Sequence, residues 1–126
     1  MVLRRVRGPL RLTHLVDGLY EDGWSGPAVT YTRFACRGGT VTFAVQSDGG
    51  LFARPQRVAG TSGARTVRAT VEPGSKRRIR VPLAARNGRC EAVLRVRPTA
   101  VPARVRPNAK DTRRLGVRMH GFRYRP

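Results

Sequence analysis

The chain has 126 residues, 40% of them from the set AVILMFWYC, and its 26 Lys and Arg against 7 Asp and Glu give a formal net charge of +19. This length is typical of one domain with one ordinary core, and no apolar run approaches the ~20 residues of a transmembrane helix. The sequence therefore excludes a membrane-embedded transporter, a multidomain enzyme and a coiled coil. We expect a basic N-terminal segment over residues 1–16, where arginines interrupt any signal-peptide core, and one domain over residues 17–126.

Short segments with a two-residue alternation of apolar and polar residues run along the chain. Such alternation is typical of strands with one face on a core and one in water. The segments are Val29–Cys36, Thr40–Gln46, Arg65–Val71, Arg77–Leu83, Arg89–Arg97 and Leu115–Tyr124, the last with an irregularity at Gly121.

The connections between these segments carry turn signals. Glu72–Ser75 has the Pro and Gly placement of a type II turn, Asn87-Gly88 is a strong hairpin signal, and Arg37–Gly39 is a tight turn. Residues 48–55 and 97–114 are expected to be long loops. Since no segment has a helical period, we predict an all-β fold, a single antiparallel β-sandwich of jelly-roll or immunoglobulin-like type with about seven or eight strands.

Cys36 and Cys90 are the only cysteines, and their spacing fits no metal motif. Cys36 shares the strand phase of Phe34, and Cys90 shares that of Leu94, so both are expected to point inward. A disulfide is therefore a candidate, and it would favour an oxidising compartment. Two separate buried thiols are the alternative.

The positive charge has two open interpretations. A surface with this excess of cations attracts polyanions. Yet Lys76 and Lys110 are the only lysines, and such a bias toward arginine is also what a GC-rich genome produces at tolerant surface positions. The arginines are dispersed, so any polyanion binding is expected to be electrostatic and non-specific, with no specific nucleic-acid recognition.

The sequence offers little catalytic chemistry. No phosphate-binding loop, dinucleotide fingerprint or metalloprotease motif is present, so we predict no metal, no cofactor and no enzymatic activity. A glycosidase would need a pair of carboxylates, and Asp22 with Asp48 or Asp111 is the remaining candidate pair.

Two loop segments contain the candidate ligand-binding residues. The segment Leu19–Pro27 holds Tyr20, Asp22 and Trp24, an aromatic and carboxylate set that can stack on a sugar ring and accept its hydroxyls. Alternatively, Trp24 closes one end of the core. Asp111 and Arg113, before the last strand, either pin the long loop through charge-assisted hydrogen bonds or form a site for an anionic ligand.

Together, the stretches Leu19–Trp24 and Asp111–Val117 resemble a bacterial β-sandwich domain that accompanies glycosyltransferases of envelope polysaccharide synthesis. The resemblance spans about residues 17–125. The domain is also similar to the soluble C-terminal part of some polyprenyl-phosphate-sugar-dependent transferases. The resemblance implies a non-catalytic accessory or glycan-binding module.

The leading hypothesis is thus a non-catalytic carbohydrate-associated module, accessory to an envelope glycosyltransferase, with a glycan or that membrane enzyme as its partner. A disulfide would suit the extracytoplasmic face of the envelope. The alternatives are a basic nucleic-acid-binding β domain and an envelope structural protein without a ligand.

Overall fold

A computed structural model describes residues 13–126. Strands make up most of this part of the chain, joined by turns and two longer loops. The elements are β1 (His14–Leu19), β2 (Ser25–Phe34), β3 (Gly39–Gln46), β4 (Gln56–Ser62), β5 (Arg65–Val71), β6 (Lys76–Leu83), β7 (Ala85–Arg86), β8 (Arg89–Arg97), α1 (Pro102–Val105) and β9 (Arg118–Arg125).

Two antiparallel sheets pack face to face, which confirms the predicted all-β sandwich-like fold. The larger sheet has the order β1-β2-β8-β4-β5, with the short β7 also paired to β8, and the smaller sheet has the order β6-β3-β9. Inward-facing side chains from both sheets form one core that includes Val29, Phe43, Val81 and Leu94. A Cβ atom on Gly60 of β4 would lie 2.7 Å from Val81 of β6, so the two layers approach closely there.

Two of the three predicted turns have the expected geometry, while Arg37–Gly39 forms a bend that carries the chain from one sheet to the other. Gly74 has a φ of 74°, and the Ser75 amide donates a 3.0 Å hydrogen bond to the Glu72 carbonyl, as in a type II turn. Asn87 and Gly88 both have positive φ, 54° and 75°, which is the requirement of a type I′ hairpin.

Three strands escaped prediction from the sequence: β4, β1 and the two-residue β7. The inward positions of β4 are Gln56, Val58, Gly60 and Ser62, so apolar residues do not mark its buried face. Strand β1 is a largely exposed edge strand with no apolar alternation, and it begins at His14, before the expected domain start at residue 17. Residues 1–12 of the predicted basic segment lie outside the described residues.

Within residues 13–126, the four-residue α1 is the only helix, and no helix there is long and apolar enough to cross a membrane.

The predicted disulfide is present and buried. Cys36 and Cys90 are bonded, with Cα atoms 5.6 Å apart and exposures of 1% and 0%. Cys90 faces inward from β8, as predicted. Cys36 lies beyond the end of β2 and follows Ala35, whose φ is 51°. It therefore reaches the core through a turn, and not by continuing the strand phase of Phe34.

A buried polar network fastens the long segment before β9 to the core. The Gln56 side chain, which is fully buried, donates to the carbonyls of Pro98 and Gly116 at 3.0 and 2.9 Å. Its oxygen accepts a 2.6 Å hydrogen bond from the Ser47 hydroxyl. A single amide thus satisfies polar groups from three separate parts of the chain, and each would be costly to leave buried without a partner.

An irregularity in β9 sets the direction of its side chains. The register shifts between the partners of Thr42 and Ala44 on β3, at Gly121, which has a φ of 71°. The extra residue lets both Met119 and Phe122 pack on the core. The irregularity predicted at Gly121 is therefore confirmed. The extra residue also turns Arg123 and Arg125 outward.

We expect Gln56→Leu to lower the free energy of unfolding by about 2–4 kcal/mol, because two carbonyls and the Ser47 hydroxyl lose their buried partner. Urea unfolding followed by circular dichroism measures the change. Gln46→Leu, at a half-buried outward position of β3, is the matched control and should change stability by less than about 1 kcal/mol. Equal effects of the two substitutions would contradict the anchoring role of Gln56.

Candidate functional site

Asp22, Asp111 and Arg113, all predicted site residues, meet at one end of the sandwich. Arg113 Nε and Nη2 donate to the Asp111 carboxylate at 2.8 to 3.2 Å. Arg113 Nη1 and Nη2 donate to Asp22 at 3.1 and 2.8 Å. The guanidinium therefore forms a bidentate pair with each of two carboxylates and joins the β1–β2 turn to the loop before β9.

Tyr20 completes this cluster, which we call the Arg113 clamp: Tyr20, Asp22, Asp111 and Arg113. The Arg113 guanidinium carbon lies 4.7 Å from the centre of the Tyr20 ring, a cation–π arrangement. All three guanidinium nitrogens already donate within the clamp. The geometry thus favours the loop-pinning interpretation of Asp111 and Arg113 over a site for an anionic ligand, and the ligand-binding role of these residues stays a prediction.

Trp24, the fifth predicted site residue, is not part of the Arg113 clamp, because its side chain is buried in the core. Its side chain is 5% exposed and packs with Leu51, Phe52 and Leu115 in a second core cluster. Arg118 covers the ring, with its guanidinium carbon 4.9 Å from the ring centre. Trp24 therefore closes the end of the core, as the alternative interpretation predicts. Its burial disfavours stacking on a sugar ring, and that ligand-binding role stays a prediction.

Arg113 keeps both carboxylates of the clamp ionised. Its hydrogen bonds lower the pKa of Asp22 and of Asp111 below the ordinary value of 3.8. A glycosidase needs one carboxylic acid with a raised pKa to protonate the leaving group. In the Asp22 and Asp111 pair both pKa values are lowered instead, so neither carboxyl is suited to act as the proton donor.

A second candidate site lies on the outer face of the smaller sheet, along the central strand β3. Thr40 and Thr42 point outward from β3, and arginines of the flanking strands stand on both sides. Arg80 of β6 and Arg123 of β9 are both register partners of Thr42. Arg125 is paired with Thr40. We call this surface the β3 trough, and its side chains are Thr40, Thr42, Arg78, Arg80, Arg123 and Arg125.

The dimensions of the β3 trough follow from strand geometry. Arg80 and Arg123 are two strand spacings apart across the trough, or about 10 Å between their Cα atoms. The outward positions of β3 from Thr40 to Gln46 cover about 20 Å along the strand. The floor consists of small and polar side chains, so the longer arginines form the two walls of an elongated, open depression.

No acidic residue occurs on any of the three strands of this sheet. The arginines of the trough are exposed, and within residues 13–126 the salt bridges involve only Arg106 and Arg113 as cations. Four like charges thus share one surface without counter-charges from the described chain, a concentration of positive potential that attracts anions.

Sequence reasoning missed this surface because the arginines appear dispersed along the chain. The signal is the phase of each strand: Arg78 and Arg80 alternate with inward residues of β6, as do Arg123 and Arg125 in β9. The pairing of both strands with β3, which brings the two sets together, cannot be read from the sequence.

The fold and these surfaces define a disulfide-bonded β-sandwich with an arginine-lined sheet face. Comparison with known proteins finds no matching family model, no matching curated protein and no matching solved structure. The likeness to glycosyltransferase-associated domains therefore stays a prediction from the two motifs.

We expect Asp111→Ala to lower the melting temperature by several degrees, because Arg113 loses one of its two carboxylate partners. Asp17→Ala, on the exposed edge strand β1, is the matched control and should leave the melting temperature nearly unchanged. Calorimetry on both variants measures the effect. An Asp111→Ala protein as stable as the wild type would contradict the loop-pinning role.

The same clamp predicts a dependence of stability on pH. A carboxyl whose pKa is lowered on folding stabilises the fold above its unfolded pKa and loses that contribution as the pH falls through its folded pKa. The difference in melting temperature between wild type and Asp111→Ala should be constant above ~pH 5 and shrink below 3.8, the ordinary pKa. Melting curves over a pH series test this, and a difference that persists at the lowest pH would contradict it.

Proposed function

We propose that the protein is a non-catalytic β-sandwich module that binds a linear acidic polysaccharide in the β3 trough. The observation that carries this proposal is the acid-free sheet with exposed arginines on both sides of a row of small residues. An accessory role beside an envelope glycosyltransferase is part of the proposal and is supported by the motifs Leu19–Trp24 and Asp111–Val117.

Arginine suits a carboxylate or sulfate ligand. Its planar fork donates two parallel hydrogen bonds to such a group, and its charge does not titrate near neutral pH. The hydroxyls of Thr40 and Thr42 add short donors and acceptors on the floor of the trough. Because the arginines repel one another in the free protein, an anionic chain lying along β3 lowers the electrostatic free energy of the surface.

The aromatic side chains of β9 favour a polysaccharide over single-stranded nucleic acid. Phe122 stacks on Phe43 with ring centres 5.0 Å apart, and the Tyr124 hydroxyl donates to the Gly38 carbonyl. Both rings thus face the core. Proteins that bind single strands without sequence preference generally use exposed aromatic rings as stacking platforms, and the β3 trough presents none.

The Cys36–Cys90 disulfide supports the same choice. Disulfides persist in oxidising environments outside the cytoplasm, which is the location that a role beside an envelope glycosyltransferase requires. The buried position of the bond in the core makes it part of the fold and not a transient redox pair.

Binding of a linear polyuronate, measured by calorimetry at low and at physiological ionic strength, tests the proposal. The wild-type protein should bind the polyuronate more tightly than a neutral dextran. Its affinity for the polyuronate should fall as the salt concentration is raised. The double substitution Arg80→Gln with Arg123→Gln should weaken binding about 10- to 30-fold, because each lost ionic contact is worth about 1 kcal/mol in water.

The matched control is Arg86→Gln with Arg104→Gln, which removes the same charge from exposed positions outside the trough. It should weaken binding less than about threefold, a change of under 1 kcal/mol. If the two double variants weaken binding equally, only the overall charge matters and the trough is not a site. Tighter, sequence-selective binding of DNA that survives raised salt would replace the proposal with a nucleic-acid function.

A further inference from the structure

The outer face of the larger sheet carries a second concentration of arginines. Ala59 of β4 is the register partner of Arg68 on β5 and of Arg95 on β8. Arg57 of β4 is paired with Arg97 of β8. We call this surface the β4 patch, and its outward side chains are Arg57, Ala59, Arg68, Thr70, Arg95 and Arg97.

The β4 patch, like the β3 trough, groups four exposed arginines around small side chains. The two surfaces differ in one respect: in the trough all four arginines lie on the strands that flank β3, whereas in the patch Arg57 lies on the central strand β4 and the other three lie on β5 and β8. Strands β4 and β5 contain no acidic residue. On β8 the acid is Glu91, which is four residues, or about 13 Å, along the strand from Arg95.

The two surfaces point in opposite directions. Val58 and Leu94 of the larger sheet pack on the same core as Val41 and Val81 of the smaller one, so the alternate, outward side chains of the two sheets face away from each other. Sheets in a sandwich are about 10 Å apart. A short anionic chain lying on one surface therefore cannot reach the other across the core.

We infer that the β4 patch is a second polyanion site and that one molecule of the protein bridges two acidic polysaccharide chains. The inference rests on the proposed function of the β3 trough, because it assigns the same ligand chemistry to both surfaces. The protein is then a cross-linker of its ligand and not only a module that attaches to it.

Binding stoichiometry tests the inference directly. Calorimetry with a short oligouronate, together with sedimentation to show that the protein stays monomeric, should give two oligomers per wild-type chain. Counted as sites that keep the wild-type affinity, the number should fall to one for Arg57→Gln with Arg95→Gln, because the β4 patch is then weakened about 10- to 30-fold. Arg80→Gln with Arg123→Gln should also leave one such site. The control Arg86→Gln with Arg104→Gln should retain two.

A capture assay shows the bridge itself. The protein is bound to immobilised polyuronate, washed, and exposed to a fluorescent polyuronate at low ionic strength. Wild type and the control should retain the fluorescent polyuronate. The variant Arg57→Gln with Arg95→Gln should stay bound to the immobilised polyuronate. Relative to wild type, its loss of fluorescent polyuronate should exceed its loss of bound protein at least tenfold.

The possible failures are distinct. If no oligouronate binds the wild type, the proposed function and the bridge both fall. One oligomer per chain that depends on Arg80 and Arg123 but not on Arg57 and Arg95 keeps the proposed function and overturns the bridge. Two oligomers that persist in the β4 patch variant also overturn it, because the second site then lies elsewhere.

Discussion

The strict alternation of side chains along each strand is the constraint on which this structure depends. Every strand that buries one face in the shared core must present the other face to water. An unpaired arginine cannot be buried without a large desolvation cost, so the chain can carry an arginine in a strand only at an outward position or at a strand end. The core therefore determines the arrangement of the charges as well as the fold.

This constraint explains how far the sequence could predict the fold. Strands β6 and β8 have apolar residues at nearly every inward position, and their boundaries and phase can be read directly. Strand β4 buries Gln56, Gly60 and Ser62 instead, because its inward face serves a hydrogen-bond network and a close approach between layers. Neither the hydrogen-bond network nor the close approach produces an alternation of apolar residues. Strand β4 can therefore be identified only from its pairing with β5 and β8.

The same limit applies to the candidate surfaces: contacts within one loop can be predicted from the sequence, and contacts between distant segments cannot. The pairing of Asp111 with Arg113 is local and could be anticipated from two residues in one loop. The participation of Asp22, 91 residues away from Arg113 along the chain, depends on where the β1–β2 turn folds back. The β3 trough depends on the pairing of β3 with two strands from distant parts of the chain, and on the irregularity at Gly121 that turns Arg123 outward. Sequence alone shows the arginines, while topology makes them neighbours.

The smaller sheet also has a consequence for self-association. Its edges are the strands β6 and β9, and an open edge offers unpaired backbone groups to another copy of the chain. The arginines along both edges repel those of another copy of the chain. Positive charge therefore opposes edge-to-edge pairing between molecules. An anionic ligand that neutralises those arginines removes this protection at the same time as it binds. On the proposed function, the colloidal state of the protein is therefore coupled to occupancy: we expect the molecules to stay dispersed while their arginines are free and to associate as the acidic ligand accumulates.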